Sequence, residues 1–125
     1  MNFKHTLETL LEKAIHSFNT SDYEGLSELF VENIHFTAPA YQNKIALENP
    51  KEFFTRGEVF NYWKRMHEQY PFTISKFEFL RVGKISIFRN TMPDFGYVID
   101  TEIHFDEYGK VLKLYNSIHD TIALE

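Results

Sequence analysis

The sequence contains no cysteine. That absence excludes disulfide frameworks, thiol nucleophiles and thiolate metal sites, and it suits a reducing compartment. Glycine and proline are sparse, five and four in 125 residues. The glycines are scattered, so there is neither a glycine-rich phosphate loop nor a Gly-x-Ser-x-Gly nucleophile elbow. No apolar run approaches the roughly 20 residues that span a bilayer. The opening stretch, Met1-Asn2-Phe3-Lys4-His5-Thr6, leads into an amphipathic pattern interrupted by Glu8, Glu12 and Lys13. A secretory signal needs an unbroken apolar stretch there. The expectation is a cytoplasmic protein with no membrane partner. Positive charge is also short: 13 Lys and Arg stand against 18 Asp and Glu, for a net charge of −5. A nucleic-acid binder needs a basic face to neutralise phosphate, so no nucleic-acid partner is expected.

Aromatic side chains are abundant, with 13 Phe, seven Tyr and one Trp. With 43% apolar residues, the chain has the material for one core and one domain, residues 1–125. Leu7, Leu10, Leu11, Ala14, Ile15 and Phe18 recur at spacings of three and four, which predicts a helix with one buried face. Asn19-Thr20-Ser21-Asp22 breaks it, and Ser21 or Asp22 can cap a short second helix that turns Leu26, Leu29 and Phe30 inward.

Ile34-His35-Phe36-Thr37 alternates as a strand and stops before Pro39. Residues 40–57 have no period and read as a long loop, a lid candidate. A third helix follows Gly57, with Val59, Trp63, Met66 and Tyr70 inward, and ends at Pro71. Residues 72–82, 84–91, 95–105 and 110–119 read as four strands, with turns at Gly83, Met92-Pro93-Asp94 and Glu107-Tyr108-Gly109. Helices segregated from a run of antiparallel strands predict an α+β fold: three N-terminal helices packed on a bent, mostly antiparallel sheet, with a pocket between them.

Several segments in this order resemble the nuclear transport factor 2-like superfamily, which includes the ketosteroid isomerases and the SnoaL-like polyketide cyclases. Asn19-Thr20-Ser21-Asp22-Tyr23 is similar to its break between the first two helices. Leu29-Phe30-Val31-Glu32-Asn33-Ile34-His35-Phe36 is similar to its first strand, with Pro39 following, and Gly57 to Pro71 to its third helix. Phe105-Asp106-Glu107-Tyr108-Gly109-Lys110-Val111 is similar to its final hairpin. The resemblance implies a cone-shaped fold and a homodimer, with Val98, Val111 and Tyr115 on the outer sheet face as the interface.

The resemblance also locates a catalytic set to test. Ketosteroid isomerases place an Asp base, a Tyr and a protonated Asp at positions matched here by Ala38, Ala14 and Thr101. Alanine neither moves a proton nor donates to an oxyanion, so no recognisable isomerase chemistry remains. Many SnoaL-like proteins carry Asp in the last strand, where the counterpart is Asn116; Asp120 lies on the same side. His67, near the pocket mouth, and Asp120 are the catalytic candidates.

The inner sheet face offers Tyr97, Ile99, Thr101 and Ile103, and then Leu112, Leu114, Asn116 and Ile118. His35, His104 and His119 point outward. Asp100, Glu102, His104 and His119 could converge there on a metal, but alternating charges describe an ordinary wet face, and neither metal nor cofactor is expected. The expected ligand-binding lining is Phe18, Phe36, Tyr41, Trp63, Met66, Tyr97, Thr101, Asn116 and Ile118. The leading expectation is a SnoaL-like protein that binds a hydrophobic or aromatic small molecule. The alternatives are an isomerase, cyclase or dehydratase, and an association module whose pocket is packed solid.

Overall fold

The computed structural model describes residues 2–37, 52–69, 77–92 and 97–120. Its first element, α1 (Phe3–Thr20), starts where the Asn2 side chain accepts the His5 N–H at 3.1 Å. That contact satisfies one of the orphan amides of the first turn. Ser21 ends the helix in the left-handed region, with φ 58°. The predicted face is the buried one: Leu7, Leu10, Leu11 and Phe18 all face the core. Burying each such side chain contributes about 1.5–3 kcal/mol. The short α2 (Glu24–Ser27) follows, its first amide accepted by Asp22 at 3.2 Å.

The strands are β1 (Phe30–Thr37), β2 (Glu52–Phe53), β3 (Phe77–Arg81), β4 (Ile85–Met92), β5 (Tyr97–Phe105) and β6 (Val111–Asp120), with α3 (Arg56–Gln69) between β2 and β3. They form one mixed sheet in the order β2-β1-β6-β5-β4-β3. Every pairing is antiparallel except β1 with β6, which brings the first long strand beside the last. Among the described residues α1 packs on α2 and α3, and α3 packs on β1 and β2. The core lies between them, built from Leu7, Leu10 and Leu11, Val59 and Tyr62, and the sheet residues Ile34, Phe36, Ile103 and Leu114. The expected α+β architecture is present.

The element boundaries differ from the sequence reading in three places. The helix α3 begins at Arg56, because Thr55 caps it: Glu58 N donates to Thr55 Oγ1 at 3.3 Å, and that hydroxyl donates to Glu58 Oε1 at 2.9 Å. Arg56 Nη1 then donates to the carbonyls of Ser27 and Phe30, at 2.9 and 3.3 Å, tying α3 to the start of β1. The stretch read as loop contains β2, a two-residue edge strand antiparallel to β1. Two residues are too few to show a period. The rest of the lid candidate up to residue 51, and Pro71, lie outside the described residues.

The final hairpin holds the third difference. Asp106 Oδ1 accepts the N–H groups of Tyr108 and Lys110, both at 2.9 Å, and Gly109 takes φ 80°. The register then shifts between His104 and Phe105: His104 faces Lys113, whereas Phe105 faces Val111. Two residues of β6 are thus passed for one of β5, and Leu112 is the extra one. Val111 consequently sits in the core at 1% exposure, and Leu112 is pushed out to 38%. Val111 is therefore not an outer-face interface residue, and Leu112 is not an inner-face one. Val98, the second expected interface residue, is itself buried within the subunit.

Candidate functional site

The inner sheet face and the helices enclose a cavity of about 120 Å³. From α1 come Leu10, Leu11, Ala14 and Phe18; from α3, Tyr62, Trp63 and Met66; from β1, Phe30 and Phe36. The floor is β4, β5 and β6, through Phe88, Asn90, Ile99, Thr101, Ile103, Leu114 and Asn116. The volume is below the few hundred Å³ expected of a drug-sized pocket. The aromatic wall is ordered around Trp63, whose ring meets Phe18 at 5.2 Å, Phe36 at 5.5 Å and Phe30 at 5.9 Å, each edge to face. Such pairs add about 0.5–1.5 kcal/mol each beyond area burial and fix the ring that faces the cavity.

Of the nine expected lining residues, Phe18, Phe36, Trp63, Met66, Thr101 and Asn116 come together here. Tyr41 lies outside the described residues. Tyr97, Ile118 and Asp120 belong to the ladder, with Tyr97 paired to Asp120 and Ile118 to Ile99; their side chains lie outside the described set. His67 is half-buried on α3 and is not part of the lining. Ala14 does line the cavity, so the position matching the isomerase tyrosine presents a methyl group.

Three neutral polar side chains stand on the floor. Thr101, 6% exposed, donates its hydroxyl to Asn116 Oδ1 at 2.8 Å. Asn116 Nδ2 in turn donates to the Thr37 carbonyl at 3.0 Å. Asn116 thus bridges β5 to the end of β1 and is held from both sides. Asn90 is different: it is 7% exposed, and its Oδ1 has no hydrogen-bond partner among the described residues. The sequence reading did not find it. In β4 the alternating apolar residues Ile85 and Ile87 suggest themselves as the inward set, yet pairing puts Phe88 opposite Thr101 and Asn90 opposite Ile99. The inner face therefore carries Ser86, Phe88 and Asn90. Ser86, fully buried, closes the β3–β4 turn by donating to the Gly83 carbonyl at 2.7 Å.

A second buried polar atom without a partner among the described residues is the Tyr23 hydroxyl, outside the cavity lining. Burial, helped by the negative charge of Glu68, pushes this phenol up to about 12.

The outer face is polar and internally paired. Glu52 Oε1 accepts from His35 Nε2 at 3.0 Å, and Tyr115 Oη meets His35 Nδ1 at 3.1 Å. In the neutral ring with its proton on Nε2, Nδ1 is an acceptor and Tyr115 the donor. This chain ties β2, β1 and β6 together. His104 Nε2 bonds to Glu102 Oε2 at 2.8 Å, and Arg89 grips Asp100 with two bonds of 2.8 and 3.1 Å. That contact with Asp100 holds the Arg89 guanidinium above its usual pKa. Among the described residues no group of three or more His, Asp or Glu side chains is arranged to hold a metal ion.

No family model matches the sequence, and no curated protein matches it. Solved structures do. The chain is similar to Bal32a from a soil-derived mobile gene cassette, at 23% identity and TM-score 0.64, over 98% of this chain and 95% of that one. A SnoaL-like protein of unknown function from Burkholderia thailandensis superposes with TM-score 0.65 at 15% identity, over 95% of this chain and 99% of that one. A steroid delta-isomerase from Pseudomonas aeruginosa does so with TM-score 0.56 at 16% identity, over 95% and 82%. At these identities the likeness is one of fold, and it establishes the nuclear transport factor 2-like fold that the sequence motifs suggested.

Proposed function

We propose that this chain, on its nuclear transport factor 2-like fold, is a small-molecule-binding protein whose hydrophobic or aromatic ligand occupies the cavity under Trp63. The observation that carries the reading is the chemistry of the lining. It is apolar and aromatic, with the neutral polar groups of Asn90, Thr101 and Asn116 placed together on one wall. Small-molecule sites are built this way. No carboxylate or histidine lies among the described lining residues. An isomerase, cyclase or dehydratase needs a group that exchanges a proton near neutral pH, within reach of its substrate. His67 stands outside the lining, and alanine replaces the tyrosine at position 14. Binding is therefore favoured over catalysis.

The same reading takes the protein as a cytoplasmic homodimer joined through the outer sheet face, with Tyr115 in the contact. The buried positions of Val98 and Val111 move the apolar part of that contact to exposed residues such as Leu80, Val82 and Leu112.

Trp63 is the single tryptophan of the chain and lines the cavity, so its emission reports occupancy. Native mass spectrometry of freshly purified protein is expected to show a dimer, with a small adduct that denaturation releases. Toluene added to the stripped protein is expected to change Trp63 emission saturably. A bare mass together with emission indifferent to toluene would leave a packed association module instead.

A further inference from the structure

The inner sheet face does not stop at the cavity. Strand pairing sets Asn116, Thr101, Phe88 and Phe79 on one rung across β6, β5, β4 and β3. The next inward rung carries Ile99, Asn90 and Phe77 across β5, β4 and β3. Directly opposed residues share a face of the sheet. On both rungs the residues of β4 and β5 floor the cavity. The last members, Phe79 and Phe77, floor a groove of about 500 Å³ between β3 and α1. Their rings lie 6.1 Å apart, and Phe77 is 38% exposed.

The helix α1 covers both spaces. Leu10, Ala14 and Phe18 line the cavity, whereas Glu8, Glu12 and Ile15 line the groove. These are two stripes of one helix, and in its 3.6-residue period Leu11 falls between them. Leu11 is the one described residue that both linings share, and it is 3% exposed. One apolar surface thus runs under α1, and the two spaces meet at this side chain. On the inner side there is room for about one six-membered ring, since a cavity of about 150 Å³ holds benzene and this one has about 120 Å³. Only with the groove does the space reach the size of pockets for larger ligands.

We propose, building on the binding reading above, that Leu11 sets the length of the ligand. It confines the ligand to a single ring under Trp63. It also closes off the groove, which is a subsite for an apolar chain carried on that ring. A methyl substituent stays within the cavity. A linear alkyl chain runs into Leu11 and reaches Phe79, Phe77 and Ile15 only when that side chain is shortened. Each methylene seated there leaves water, for a gain in affinity of about fourfold.

The test compares toluene with n-butylbenzene by NMR titration of wild type, Leu11→Ala and Leu10→Ala, read at the Trp63 indole N–H and the Ile15 methyl groups. Leu10→Ala removes the same atoms from the cavity wall, but Leu10 does not border the groove. In wild type, n-butylbenzene is expected to bind no more tightly than toluene and to leave the Ile15 methyls unmoved. In Leu11→Ala the ratio of n-butylbenzene Kd to toluene Kd is expected to fall about tenfold, a little less than two seated methylenes supply. There n-butylbenzene shifts the Ile15 methyls and toluene does not. Leu10→Ala is expected to keep the wild-type ratio. Leu11→Val removes one methylene only and is expected to lower the ratio by a smaller factor, which keeps the test readable if the alanine variant does not fold. The inference is overturned if the ratio is unchanged in the Leu11 variants, or if Leu10→Ala lowers it equally. Either result leaves toluene bound at Trp63, so the binding reading survives it. If neither probe moves the Trp63 resonance of wild type, the binding reading falls and this inference falls with it.

Discussion

Replacing Asn90 by leucine is expected to stabilise the ligand-free protein, whereas the same replacement at Asn116 destabilises it. Both are asparagines on the inner sheet face, and both line the same cavity. They differ in what their amides do. Asn90 Oδ1 is buried without a partner among the described residues, so folding strips its water and returns nothing. Leucine has the same number of non-hydrogen side-chain atoms and the same branching, and any extra bulk enters an open space of about 120 Å³. Removing an unsatisfied buried acceptor recovers about 1–2 kcal/mol. For a chain of this length that is a rise of roughly 3–8 °C in Tm. Asn116, by contrast, accepts from Thr101 at 2.8 Å and donates to Thr37 at 3.0 Å. Leucine there strands the 6%-exposed Thr101 hydroxyl and the Thr37 carbonyl, at a cost of about 1–3 kcal/mol. The assay is urea and thermal unfolding followed by circular dichroism, on protein stripped of ligand, since a bound molecule would stabilise wild type preferentially. A fall in Tm for Asn90→Leu, or shifts of the same sign in both variants, refutes the reasoning.

Two further outcomes follow from other parts of the fold. The Tyr23 phenol is raised from 10 to about 12, so between those pH values the unfolded chain ionises while the folded chain keeps its proton. The folded state then binds more protons, and stability falls as pH rises through this window, by about 2–3 kcal/mol in the limit. Tyr23→Phe is expected to flatten that part of the pH–stability curve, measured by urea unfolding from pH 9 to 12, with stability at pH 7 unchanged or slightly higher. Gly109, at φ 80°, closes the last hairpin, and Gly109→Ala forces a Cβ into the left-handed region. A loss of about 1 kcal/mol is expected in the same assay, with Trp63 emission unchanged.

Local pattern made much of this molecule legible. The spacing of Leu7, Leu10, Leu11 and Phe18 predicts α1 because a buried helix face repeats every 3.6 residues whatever lies opposite. Alternation in β5 predicts that Thr101 faces inward and His104 outward, and both do. The turn after Phe105 is announced by Asp106 and Gly109, whose roles are played out within four residues. The same logic brought six of the nine expected lining residues to one cavity.

What remained hidden depends on partners distant in sequence. The edge strand β2 exists only because β1 offers it a ladder, and β1 lies beside β6 across some 80 residues of chain. The bulge at Leu112 turns Val111 inward, and no alternation within β6 records it, because a one-residue slip exchanges the two faces. Asn90 and Asn116 look alike in sequence. Whether an amide is satisfied is a question of which atoms lie within about 3 Å of it, and that is settled by strand register and not by composition. The sequence alone determined where the helices and the long strands run and which faces of α1 and β5 are apolar. Only the tertiary structure decided that one asparagine is spent on holding the sheet together while the other keeps a buried oxygen without a partner among the described residues.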